Sequence, residues 1–153
     1  MPLAWRRVIA IPVAGLVLGL AWNAWSGRGL ALAGNAFVRE GDAIEEIEVQ
    51  EARARMEKGA LVLDARPRDF YDMSHVPGAL PLPEDDFDRA FASIEDRLRS
   101  HFDIIVYCSG YGCEASHIVA RKLKERGIPA LILHDGIPAW QEHQYPLKEG
   151  PQP

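Results

Sequence analysis

Two cysteines, Cys108 and Cys113, are the only thiols in this 153-residue chain, and four residues separate them. They are too few for a disulfide framework and do not have the spacing of a zinc site, so they point to chemistry at one place or to none. The run Ile104-Ile105-Val106-Tyr107 leads into Cys108, Ser109-Gly110-Tyr111-Gly112 follows, and Cys113-Glu114-Ala115-Ser116 opens the next segment. The first four residues, rich in β-branched side chains, read as a buried strand. From Ala115 onward Ile118, Val119 and Leu123 recur at helical spacing, with Arg121, Lys122, Lys124 and Glu125 on the other side. A thiol between a strand end and a helix N-terminus lies where backbone N–H groups and the helix dipole favour an anion. The thiolate is the nucleophilic form, so Cys108 is the candidate catalytic residue.

The elements that must hold this loop alternate between strand and helix. Ile44, Ile47 and Val49 suggest a short edge strand. Gln50 to Lys58 reads as a helix stopped by Gly59, and Leu61-Val62-Leu63 as a buried strand ending at Asp64. Ala79 to Pro83 is extended, and its prolines confine it to an edge or a loop. Asp85 or Asp86 is placed to cap a helix carrying Phe87, Phe91, Ile94 and Leu98 on one face. The cysteine helix should end near Arg126, with basic residues in its last turns and Gly127 just beyond. Ala130 to Leu133 is a further strand, and a short helix around Pro138-Ala139-Trp140 precedes a loose tail. This alternation predicts an α/β domain with a central, mainly parallel sheet covered on both faces.

Charge is unevenly distributed. Residues 1–34 hold three of the 17 basic residues and no acid, so the other 14 face all 22 acids, a net of −8. A domain this acidic argues against nucleic acid as a partner. Val8 to Trp25 is apolar apart from Asn23, just long enough to cross a bilayer as a helix. Arg6 and Arg7 before it and Trp22 and Trp25 at its end predict a cytoplasmic start and a soluble domain outside the cytoplasm, periplasmic in a bacterium. Ala31-Leu32-Ala33 resembles the small-residue site of a cleaved signal. The apolar stretch exceeds the usual signal core of about 7–15 residues, which favours an anchor. Gly15 and Gly19 form a GxxxG pair through which two such helices could form a homodimer. The reading is therefore a single-pass anchor over residues 1–27, a glycine-containing linker over 28–43, a folded domain over 44–148 and a tail over 149–153.

Five separated motifs then converge. Asp64-Ala65-Arg66, Phe70-Tyr71, His75-Val76-Pro77-Gly78-Ala79, Val106-Tyr107-Cys108 and Asp135-Gly136-Ile137-Pro138-Ala139-Trp140 resemble, in order and spacing, a rhodanese-like domain. The resemblance implies the rhodanese fold and a sulfurtransferase in which Cys108 carries sulfane sulfur as a persulfide. The sulfur would come from a small sulfur-containing anion or a persulfide and pass to a thiol acceptor. It implies no metal or cofactor. It makes Ser109, Gly110, Tyr111, Gly112, Cys113 and Glu114 the anion-binding loop, with Ser116 and Arg66 in support. Arg66 resembles the family's Asp-x-Arg arginine, expected in a structural ion pair.

The loop departs from the family pattern in three ways. It is about two residues longer than in typical sulfurtransferases, it lacks the arginine or lysine that many members carry, and it adds Glu114, whose charge suits a helix start but opposes a nearby thiolate. Two other functions therefore stand beside sulfur transfer. One is a non-catalytic binding or thiol redox module using Cys108 and Cys113; Cys113 reads as a resolving thiol that forms a disulfide or attacks the persulfide, or as a loop residue with no role. The other is a phosphate or arsenate enzyme on the same fold, weakened by the missing arginine clamp. His75 is expected to fix its turn, His117 to lie at the surface or pack, Trp140 to be core, and the acids from Glu84 to Asp88 to form a solvated helix start.

Overall fold

Short apolar runs build a five-stranded parallel sheet in the computed structural model, which describes Trp22 and residues 44–153. The elements are β1 (Glu46–Ile47), α1 (Val49–Glu57), β2 (Leu61–Asp64), α2 (Arg68–Met73), β3 (Leu80–Pro81), a 3-10 turn (Glu84–Asp86), α3 (Phe87–Ser100), β4 (Ile104–Tyr107), α4 (Glu114–Glu125), β5 (Leu131–Leu133) and α5 (Gly136–Glu142). The strand order is β1-β5-β4-β2-β3, which puts the cysteine strand β4 at the centre. Leu61 to Asp64 run in register with Ile104 to Tyr107 on one side of it, and Ile105 and Val106 pair with Leu131 and Ile132 on the other.

Successive strand residues face opposite sides, and each side has its own core. Leu61, Leu63, Ile104, Val106 and Ile132 pack with Phe87, Phe91 and Leu98 of α3 and Val119, Ala120 and Leu123 of α4. Val62, Ile105, Tyr107 and Leu133 pack with Val49 and Ala52 of α1, Tyr71 of α2, and Ile137 and Trp140 of α5. Burying each large aliphatic side chain contributes roughly 1.5–3 kcal/mol, and all four residues of β4 are buried. The expected two-faced α/β sheet is therefore what forms.

Several expectations shift in detail. The first strand shrinks to Glu46–Ile47, because Val49 turns its side chain into the core as the first residue of α1. Asp86 precedes α3 but makes no capping bond; its carboxylate pairs with Arg89 instead. In α4 the buried stripe is Ser116, Val119, Ala120 and Leu123, so Ile118 falls off the core face. Helix α2 was not foreseen. Its six residues are too few to show a period, and Pro67 before it sets the backbone that enters it. The last residues are not loose: Lys148 and His75 exchange backbone hydrogen bonds at 2.8 and 2.9 Å, and Gly150 donates to Asp72. The expected anchor at 8–25 (Trp22 apart), the linker at 28–43 and the Gly15/Gly19 pair lie outside the described residues. Among the described residues no helix is long and apolar enough to cross a membrane.

Candidate active site at the end of the central strand

Cys108 directly follows β4 and is 3% exposed. Its carbonyl accepts the Ile137 N–H at 3.0 Å, and the start of α5 lies against it. Asp135 and Gly136 both adopt left-handed backbone, with φ of 56° and 57°. This turns the chain so tightly that a Cβ on Gly136 would sit 2.2 Å from the Cys108 oxygen. Only a residue without a side chain fits there. Gly110 is likewise pressed against Pro138, at 3.0 Å from the ring to a built Cβ.

The loop that follows turns on two positive-φ glycines, Gly110 and Gly112, and closes with a Cys113 N–H bond to the Gly110 carbonyl at 3.0 Å. Among the described residues, no backbone carbonyl accepts the N–H groups of Ser109, Gly110, Tyr111 or Gly112. Such amides are left for water or for an anion. Ser109, Tyr111, Gly112 and Glu114 are exposed. Cys113 is the residue before α4, and Glu114 is the first in that helix, as its charge favours. Ser116 is buried and its hydroxyl donates to the Cys113 carbonyl at 3.4 Å.

Cys108 and Cys113 are joined by a disulfide, with their Cα atoms 6.2 Å apart. The bridge places the Cys108 sulfur one bond from the side chain that heads a 12-residue helix. That is a setting in which the dipole supports a thiolate once the bridge is opened. The pairing left open in the sequence is thus closed in this structure.

Behind the loop a buried polar network fixes the strand ends. Asp64 accepts from the Arg66 guanidinium at 2.6 Å and from the Tyr107 hydroxyl at 2.5 Å. Tyr107 in turn accepts the Val76 N–H, and Arg66 also donates to the Ser74 carbonyl. Burial, and then the Asp64 charge, push the Tyr107 phenol far above its ordinary pKa, so it stays a neutral donor. Arg66 is therefore spent on the expected ion pair, with its fork inside the protein rather than in the loop. His75 fixes its turn as expected, its Nδ1 bonding the Tyr71 carbonyl at 2.9 Å, while its buried Nε2 has no partner among the described residues. Trp140 is core, 1% exposed.

One group of residues is brought together only by the fold. Glu46 of β1 lies 2.6 Å from His134 and 3.6 Å from His117, and His134 is 3.7 Å from Asp135. These side chains line a hollow of about 290 Å³ together with Tyr111 and Cys113. The Glu46 bond raises the His134 pKa, with Asp135 assisting. The only advance signal was that His134 follows a strand on the same side as Cys108, where ligands gather in parallel sheets. Among the described residues, no three His, Cys, Asp or Glu side chains form a metal-holding group.

Residues 48–143, well over half of the chain, match the family model of the Rhodanese-like domain. The chain belongs to the rhodanese-like family. It is 32% identical over 113 residues to an HTH-type transcriptional regulator of Mycobacterium tuberculosis, a match covering 71% of this chain and 46% of that protein. It is 36% identical over 73 residues to the tRNA sulfurtransferase of Thermoplasma acidophilum, covering 48% of this chain and 13% of that one. The chain thus spans less than half the length of either curated relative. The solution structure of the rhodanese-like domain of an Anabaena protein superposes with a TM-score of 0.56 at 25% identity, covering 71% of this chain and 82% of that one.

Proposed function

We propose that the chain is a sulfurtransferase in which Cys108 takes sulfane sulfur from a small sulfur-containing anion or a persulfide, holds it as a persulfide, and yields it to a thiol. The observation that carries this reading is the placing of Cys108: buried at the end of the central strand, ahead of α4, and followed by four loop amides without backbone acceptors among the described residues. A thiolate there attacks the outer sulfur of the donor. The donor's S–S bond breaks, its remainder leaves as an anion, and the loop amides hold the charge that develops. Sulfurtransferase relatives, including the tRNA enzyme, support the class. The loop contains no arginine, which disfavours a doubly charged phosphate or arsenate as substrate.

The test is to reduce the purified full chain and incubate it with thiosulfate, or with glutathione persulfide, under anaerobic conditions. Sulfur transfer predicts a gain of about 32 Da on the Cys108 side chain, or release of the equivalent sulfur as sulfide. Both should vanish in Cys108→Ala. If neither donor loads or spends sulfur on this chain, the reading is wrong.

The Cys108–Cys113 bridge favours a second reading, a thiol redox module without sulfur transfer. It predicts reversible disulfide chemistry with dithiols and no reaction with either sulfur donor.

We also infer that residues 8–25 tether the domain to a membrane, on the side opposite the Arg6-Arg7 start. Alkaline carbonate should leave the full chain in the membrane pellet. Protease added to intact spheroplasts should remove the domain. Release by carbonate would sink the tether.

A further inference from the structure

We propose that Cys113 resolves the Cys108 persulfide, so that the protein releases its sulfur as sulfide and is recycled by a dithiol. This rests on the persulfide reading above and adds to it the fate of the sulfur and the class of the reductant.

The disulfide is the observation that carries it. Cys113 follows Cys108 by five positions, and the Cα separation of 6.2 Å lies within the ordinary range for a bridge. The loop is shaped to bring the two together: Gly110 and Gly112 supply positive φ, and the Cys113 N–H closes on the Gly110 carbonyl. The Ser116 hydroxyl holds the Cys113 carbonyl at the head of α4. A thiol that reaches the inner sulfur of Cys108 in the resting protein reaches the same atom when that sulfur carries a second one.

The step balances without any outside oxidant. The Cys113 thiolate attacks the inner sulfur of the Cys108 persulfide. A bond forms between the two cysteine sulfurs, the bond to the outer sulfur breaks, and its electron pair leaves with that atom as hydrosulfide. What remains is the observed bridge.

Recycling needs two electrons, which a small or protein-borne dithiol supplies. Cys108 is buried, whereas Cys113 is only half-buried and lines two surface hollows, one of about 290 Å³ and one of about 600 Å³. The incoming thiol therefore meets the Cys113 sulfur first. Cys108 is then the leaving group, and its position ahead of α4 suits it to depart as a thiolate. The second thiol of the reductant breaks the mixed disulfide, leaving Cys113 reduced and the dithiol oxidised.

The experiment uses the full chain, reduced, desalted and kept anaerobic, with thiosulfate or glutathione persulfide and no acceptor. Wild type should release about one sulfide per chain and lose about 2 Da as the bridge forms. Cys113→Ser and Cys113→Ala should instead keep the adduct of about 32 Da on Cys108 and release at least tenfold less sulfide. Added dithiothreitol should make sulfide release by wild type continuous. Wild type that keeps the adduct as long as both variants, without bridge or sulfide, overturns the proposal and leaves Cys108 a persulfide carrier. Failure of wild type and both variants alike to take up sulfur overturns the underlying function as well.

Discussion

Gly136 lies so close beneath the Cys108 carbonyl that a side-chain carbon at its position would stand 2.2 Å from that oxygen, with the Gly110 nitrogen 2.9 Å away. The turn that opens α5 and the loop that follows β4 are therefore packed main chain to main chain. Cys108 is held from behind by residues almost thirty positions further along the chain.

Gly136→Ala should consequently damage the cysteine loop more than the fold. The left-handed φ of 57° disfavours any side chain by about 1–2 kcal/mol, and the new Cβ must also push the Cys108 peptide aside. A displacement near 1 Å at a reacting group costs on the order of 100-fold in rate. Sulfur loading of Cys108, followed by mass, should fall by about that factor while the circular dichroism spectrum stays native. Loading at the wild-type rate would mean that the close approach does not position the cysteine.

The Asp64 network should behave in the opposite way, acting on stability first. Tyr107→Phe removes the hydroxyl that joins Asp64 to the Val76 N–H and leaves both short of a partner, at a cost of about 1–3 kcal/mol. Asp64→Ala strands the buried Arg66 guanidinium and should cost about 3–5 kcal/mol. Urea unfolding should rank the proteins wild type, Tyr107→Phe, Asp64→Ala. Equal midpoints for wild type and Asp64→Ala would show that the pair contributes nothing.

These two clusters differ in how far the sequence announces them. Asp64 and Arg66 are announced by the resemblance of Asp64-Ala65-Arg66 to the family's Asp-x-Arg motif, which implies the structural ion pair that forms. Cys108 is announced by the apolar run before it, and the end of α4 by Gly127, whose φ of 76° ends the helix as expected. The hollow beside Cys113 is announced only by the place of His134 after a strand. Glu46 and His134 are 88 positions apart and meet only because β1 adds in parallel to β5, with Glu46 opposite Ile132. A two-residue strand carries too little pattern for that pairing to be read. The Gly136 approach is hidden for a different reason: a glycine in a turn is common, and the backbone pressed against it is visible only once the fold exists.

The Glu46–His134 contact makes a prediction about pH. The hydrogen bond that His134 donates to Glu46, aided by Asp135, raises the folded-state pKa of His134 above its ordinary value of 6.5. A raised histidine stabilises the fold in its protonated form. Its contribution is whole below about 6.5 and is lost as pH rises through the folded value. Glu46→Gln should lower the His134 titration midpoint measured by NMR and flatten the pH dependence of stability above 6.5. A midpoint unmoved by Glu46→Gln would assign the shift elsewhere.

Reduction of the Cys108–Cys113 bridge should leave the domain folded. The bridge closes a loop of only about six residues, and chain-entropy arguments then limit its stabilisation to roughly 2 kcal/mol. The two cores on either side of the sheet do not depend on it, since Cys113 belongs to neither. For a domain near 100 residues, 2 kcal/mol corresponds to a fall in Tm of roughly 10 °C. Calorimetry with and without a dithiol should show one cooperative transition in both states, separated by no more than that. This is what a working thiol pair requires, because the reduced state must be a folded one for Cys108 to meet its donor. Loss of the transition on reduction would make the bridge a structural brace, and Cys108 would have no folded reduced state in which to act.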